Sequence, residues 1–275
     1  MASFDFIEAA TRAYAFAWDE KKYLARVAFS AVFVKVICDL LIYLMGYEQQ
    51  FLRQGLFMIP GFVVEALLIV GVIRYFLHGE PVFIWGRPFV PAHPRRALLP
   101  YLGSLSRIDC LRAGFAMYML IVVLSLCFNG LWLDFFMNFE KEVLPEQVSN
   151  AQPNAAASIL VLTLLAAFVW LYRVLWLYIP LAIGLSIKQF FQLTRGFETS
   201  FYMIALSLIC AFPLLLLFYL GINVIQHTFS EGSVAFILTG AVMRSMFFVA
   251  VTVVQAVAMT VACSELIIGS SRTGS

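Results

Sequence analysis

Six apolar stretches, at approximately 25–45, 56–77, 113–133, 156–179, 201–225 and 242–266, occupy most of this 275-residue chain. A hydrocarbon core of about 30 Å is crossed by about 20 residues of α-helix. The runs are continuously apolar and do not alternate in polarity, which predicts helices and argues against barrel strands. At 63% hydrophobic and 12% charged residues, the chain departs from soluble domains, which are about half apolar and a quarter charged. The expected fold is all-α: one integral membrane domain over residues 1–275, a polytopic protein with six transmembrane helices.

The basic residues between the stretches sort by side. Arg12, Lys21, Lys22 and Arg26, then Arg87, Arg95, Arg96, Arg107 and Arg112, then Lys188, Arg195 and Arg272 fall on one side, whereas only Arg53 and Lys141 fall on the other. Short loops rich in Lys and Arg stay in the cytoplasm, so both termini are expected there. The amino-terminal segment carries Asp5 and Glu8 and lacks the basic start of a cleavable signal, so the first helix is expected to act as an uncleaved anchor. The absence of any N-x-[ST] sequon fits a bacterial inner membrane. The loop at 134–155, with Asp134, Glu140, Glu142 and Glu146, is expected to be a solvated connection.

A stretch with helical apolar spacing precedes each odd-numbered span: Phe4, Ile7, Tyr14 and Trp18; then Leu98, Tyr101, Leu102, Leu105 and Ile108; then Ile187, Phe190, Phe191 and Phe197. Such stripes suit helices lying at the membrane interface or packed beneath the bundle. Each also contains a hydroxyl residue followed by arginine, at Thr11-Arg12, Ser106-Arg107 and Thr194-Arg195. These features predict three tandem hairpins on amphipathic feet, in repeat units 1–78, 94–180 and 186–268.

Charges within the apolar windows need partners or water, because one ionised group at mid-depth costs at least about 2.5–3.5 kcal/mol. Arg74, Arg173 and Glu265 lie near the cytoplasmic ends of their windows, where snorkelling explains them. Lys35 and Asp39 are spaced i, i+4 on the first helix, and Glu65 on the second lies at nearly the depth of Lys35, within about 3 Å. A Lys35, Asp39 and Glu65 cluster near mid-membrane is therefore expected, with Arg244 as a second cation for the second carboxylate. The cluster serves either as a polar clasp between helices or as a site handling protons or substrate.

Pro213, in the middle of the fifth helix, removes a backbone donor and predicts a kink. Pro60 falls in the first turn of the second window and Pro180 just beyond the fourth. The Pro- and Gly-rich loop at 79–96 carries Arg87, Arg95 and Arg96, candidates for lipid headgroup contact as well as for setting topology. Ala258 and Ala262 form one small-residue packing pair. The five cysteines form no CxxC pair and read as small apolar residues.

Zinc-protease, phosphate-loop, dinucleotide and nucleophile-elbow motifs are all missing from the sequence. No catalytic residue, metal or cofactor is expected. Partners are expected to be membrane lipids and other membrane proteins, with no nucleic acid. Short loops and the lack of a catalytic constellation point to a non-enzymatic membrane protein that organises or assists protein or lipid partners; the alternative is a small transporter or channel subunit using the intramembrane charges.

Overall fold

The computed structural model describes residues 4–47, 50–80, 83–84, 87–88, 107–143, 155–230 and 232–273. The helices are α1 (Phe6–Asp19), α2 (Lys21–Leu44), α3 (Phe51–His78), α4 (Arg107–Val143), α5 (Ala155–Leu171), α6 (Tyr178–Ala182), α7 (Ile187–Leu193), α8 (Phe197–Thr228) and α9 (Val234–Thr273). Among the described residues the only extended pairing is a two-residue antiparallel bridge, with Phe83 opposite Pro88 and Ile84 opposite Arg87. Six helices are long and apolar enough to cross a membrane, as the windows predict. Helices α3 and α9 form the centre, with 56% and 61% of their apolar spans buried, against 11% for α4 and 22% for α8.

Local chemistry sets several ends. Asp5 caps α1 by accepting from the backbone N–H groups of Ile7 and Glu8 at 2.9 and 3.1 Å. Ser186 and Gln189 form a capping box on α7. Gly79 ends α3 in the left-handed region, at φ 67°, and its N–H reaches the Tyr75 carbonyl at 3.0 Å.

Several expectations need correcting. The fourth span is broken: α5 gives way at Tyr172–Trp176 to a 3₁₀ stretch before α6. The Arg173 Nε donates to the Trp170 carbonyl at 2.9 Å, occupying an acceptor that a continuing α-helix would use. Pro180 lies in the first turn of α6 rather than ending a helix, a position where no backbone donor is needed. Pro60 lies well inside α3, because that helix starts earlier than its apolar window. Pro213 lies inside α8, where the sequence places it. Asp134, Glu140 and Glu142 belong to α4 and not to a loop, while Glu146 lies outside the described residues.

The first amphipathic foot is real as a helix but packs by a different face. Ala9, Ala10, Ala13 and Phe16 are buried, whereas Ile7 and Trp18 are 61% and 70% exposed. Alanines let α1 approach α8 and α9 more closely than a stripe of large side chains allows. The Tyr14 hydroxyl donates to the Cys210 carbonyl on α8 at 2.6 Å, and burial pushes this phenol up to about 12. Phe4 and Phe6 meet the Tyr202 ring at 6.2 and 5.8 Å between centroids. The third foot is the short α7, anchored by the buried Phe190. Most of the second foot, from Leu98 to Leu105, lies outside the described residues, as do Arg95 and Arg96; Arg87 sits in the two-residue bridge.

Snorkelling does not describe Arg74 or Arg173. Arg74 is 2% exposed; its Nε and Nη2 donate to the two Glu80 carboxylate oxygens at 2.8 and 3.0 Å, and its Nη1 to the Ala182 carbonyl at 3.2 Å. Arg173 is 3% exposed, and its Nη1 donates to the Thr194 carbonyl at 2.6 Å while the guanidinium lies 4.5 Å from the Trp170 ring centroid. Glu265 pairs with Arg12 at 3.5 Å. A forked guanidinium can join two chain segments at once.

Candidate functional site

Lys35 and Glu65 meet across α2 and α3, with Nζ and Oε2 2.8 Å apart and side chains only 5% and 3% exposed. Each lies about fourteen residues in from the end of its helix nearest α1, so the pair sits near mid-span. The buried Tyr118 of α4 lies beside the Glu65 carboxylate. The Tyr178 ring of α6 packs edge-on against Tyr118 at 5.1 Å, extending the polar aromatic wall around the carboxylate. Phe62 and Phe248 flank the ammonium, with ring centroids 5.3 and 6.0 Å away.

Space for this pair comes from glycine. Helical side chains lean toward the N-terminus and cover the turn before their own Cα. Gly61 stands one turn before Glu65, and a Cβ built there would come within 2.9 Å of the Lys35 Cγ. Gly114 stands one turn before Tyr118, where a Cβ would lie 3.1 Å from the Ala182 Cβ and 3.3 Å from the Val70 Cγ1. This close approach of α4 to α3 and α6 brings the tyrosine to the carboxylate.

Asp39 belongs to a different environment although it lies one turn beyond Lys35. It faces α9, where the Ser245 hydroxyl donates to its Oδ2 at 3.4 Å. Both Asp39 and Arg244 line a cavity of about 580 Å³ between α2, α3 and α9, at the end of the bundle where α2 finishes and α9 begins. Gln54 and Tyr43 add polar groups, and Gly240, one turn before Arg244, has open space where a Cβ would be.

The structure therefore gathers Lys35 with Glu65, and Asp39 with Arg244, as two adjoining sites. Lys35 touches both, since its side chain also lines the cavity. Tyr118, Tyr178 and Ser245 carry no charge and so do not stand out within an apolar window. A glycine four residues before each of Glu65, Tyr118 and Arg244 was a legible signal.

Chemically, the buried pair is a dry contact with no route for solvent on its Glu65 side, whereas the cavity presents both signs of charge to anything small that enters. Among the described residues no cluster of three or more His, Cys, Asp or Glu side chains is arranged to hold a metal. Comparison with protein families, characterised proteins and solved structures found no match to this chain. The class that fold and site define is thus a multi-pass helical bundle with six helices able to cross a membrane.

Proposed function

We propose that this is a non-enzymatic integral membrane protein that organises or assists lipid or protein partners, with its deep charges acting as fasteners within the bundle. The observation that carries this reading is the closure of those charges on protein groups. Glu65 is paired with Lys35, Arg74 with Glu80 and the Ala182 carbonyl, and Arg173 with the Trp170 and Thr194 carbonyls. A fixed, satisfied network holds one packing and leaves the outer faces for partners.

The proposed topology places both termini in the cytoplasm of a bacterial inner membrane, with three tandem hairpins. Two contacts support the repeat. Arg173, at the end of the second unit, binds the carbonyl of Thr194 in the third foot, and Glu265, at the end of the third unit, binds Arg12 in the first. The second and third units thus each end on the foot of another.

The second reading, a small transporter or channel subunit, is favoured by the cavity bearing Asp39 and Arg244. Gly240→Cys, in a background without the five natural cysteines, separates the two. In vesicles of both orientations, a membrane-impermeant maleimide should label Cys at this position from one face only. Labelling from both faces would establish passage through the bundle and overturn the organising role.

A further inference from the structure

A second depression, of about 530 Å³, runs along the outside of the bundle between α1, α2, α8 and α9. Its lining is almost wholly apolar, and the floor is kept low by Ala25, Ala28 and Ala250. From Lys21 at its mouth to Val32 it follows α2 for about 16 Å, roughly half of a 30 Å hydrocarbon core and so about one leaflet deep.

The mouth has a different character. Lys21 lines it, with its ammonium 3.8 Å from the centroid of the Trp18 ring, and Trp18 is 70% exposed. Lys22 and Arg26 are exposed on α2 outside the groove lining. The acidic neighbours are Asp19, which is exposed, and Glu20, which accepts a hydrogen bond from the Tyr75 hydroxyl at 2.9 Å. Lys21 is the one charged residue that lines the groove. An indole and an ammonium above an apolar trough match an acidic headgroup above an acyl chain.

We infer that this groove binds an anionic glycerophospholipid, with one acyl chain lying over Ala25, Ala28 and Ala250 and the headgroup phosphate held by Lys21. The inference rests on the organising role proposed above and names the lipid class it uses. Trp18 bounds the headgroup side, and the alanines admit a chain where larger residues would fill the trough.

Native mass spectrometry of the full-length protein, titrated in detergent with phosphatidylglycerol or phosphatidylcholine of identical acyl chains, tests it. Wild type should retain one phosphatidylglycerol several-fold more strongly than phosphatidylcholine. Lys21→Glu should lower phosphatidylglycerol retention about fivefold, the scale of one basic residue at an anionic surface, and leave phosphatidylcholine unchanged. Ala28→Trp should abolish retention of both. Ala250→Phe, which fills the trough from the opposite wall, should do the same and serves if the first variant does not fold. Undiminished retention in a filled-groove variant, or indifference to Lys21→Glu, overturns the assignment. Labelling of Gly240→Cys from both faces would instead remove the organising role, whatever the lipid result.

Discussion

Lys35 and Asp39 are one helical turn apart on α2, yet they occupy opposite kinds of surroundings. Lys35 reaches Glu65 through a packed contact closed by Gly61, Tyr118 and two phenylalanine rings. Asp39 faces a cavity shared with the exposed Arg244. In the first place the charges hold the helices together, because removing Lys35 strands the Glu65 carboxylate away from water. In the second, water can solvate whatever is left. The difference teaches that depth along a membrane helix does not set a charge's role; the face it projects from does.

The largest effect should come from opening the dry pair. Glu65→Leu leaves the Lys35 ammonium buried without its carboxylate and is expected to destabilise the bundle by about 3–5 kcal/mol, read as a shift in unfolding on titration with denaturing detergent. Lys35→Met together with Glu65→Leu should recover most of that loss. A Glu65→Leu variant as stable as wild type would mean that the pair is not a clasp.

Glycine substitution contrasts the two places at a smaller scale. Gly61→Ala forces the anchored Lys35 stem to move, since the new Cβ would stand 2.9 Å from its Cγ, and should cost about 1–2 kcal/mol. Gly240→Ala meets nothing within 4 Å and should be neutral or stabilising by up to about 1 kcal/mol through helix propensity. Equal thermal midpoints for the two variants in the same detergent would erase the proposed contrast between packed and open surroundings.

Smallest of all should be the change on neutralising the cavity pair. Asp39→Asn and Arg244→Gln are each expected to shift stability by less than about 1 kcal/mol, and a double-mutant cycle should return a coupling below the same figure. A coupling of several kcal/mol, measured by the same unfolding titration, would make this pair a second clasp.

Much of the fold was legible because the bilayer imposes a simple length and polarity rule on each span. The windows located the spans but undershot their ends, as α9 begins at Val234, in the apolar segment VAFIL ahead of its window, and continues through polar residues to Thr273. The pairing of Lys35 with Glu65 was legible from matching depth in neighbouring helices. Its separation from Asp39 was not, since an i, i+4 relation places two residues on one face without saying which neighbouring helix each meets. Arg173 was misread for a related reason: its partner, the Thr194 carbonyl, belongs to a backbone turn that no side-chain pattern announces.

By itself the sequence determined that this chain is a bundle of apolar helices and which residues within them need polar partners. Both follow from local properties, namely the hydrophobicity of a run and the penalty for an unpaired charge in hydrocarbon. Only the tertiary structure decided which partner each charge found, that α1 would bury its alanines and leave Trp18 outside, and where a groove and a cavity would remain. Those outcomes depend on how closely helix axes approach, which glycines and alanines on several helices control jointly and no single segment encodes.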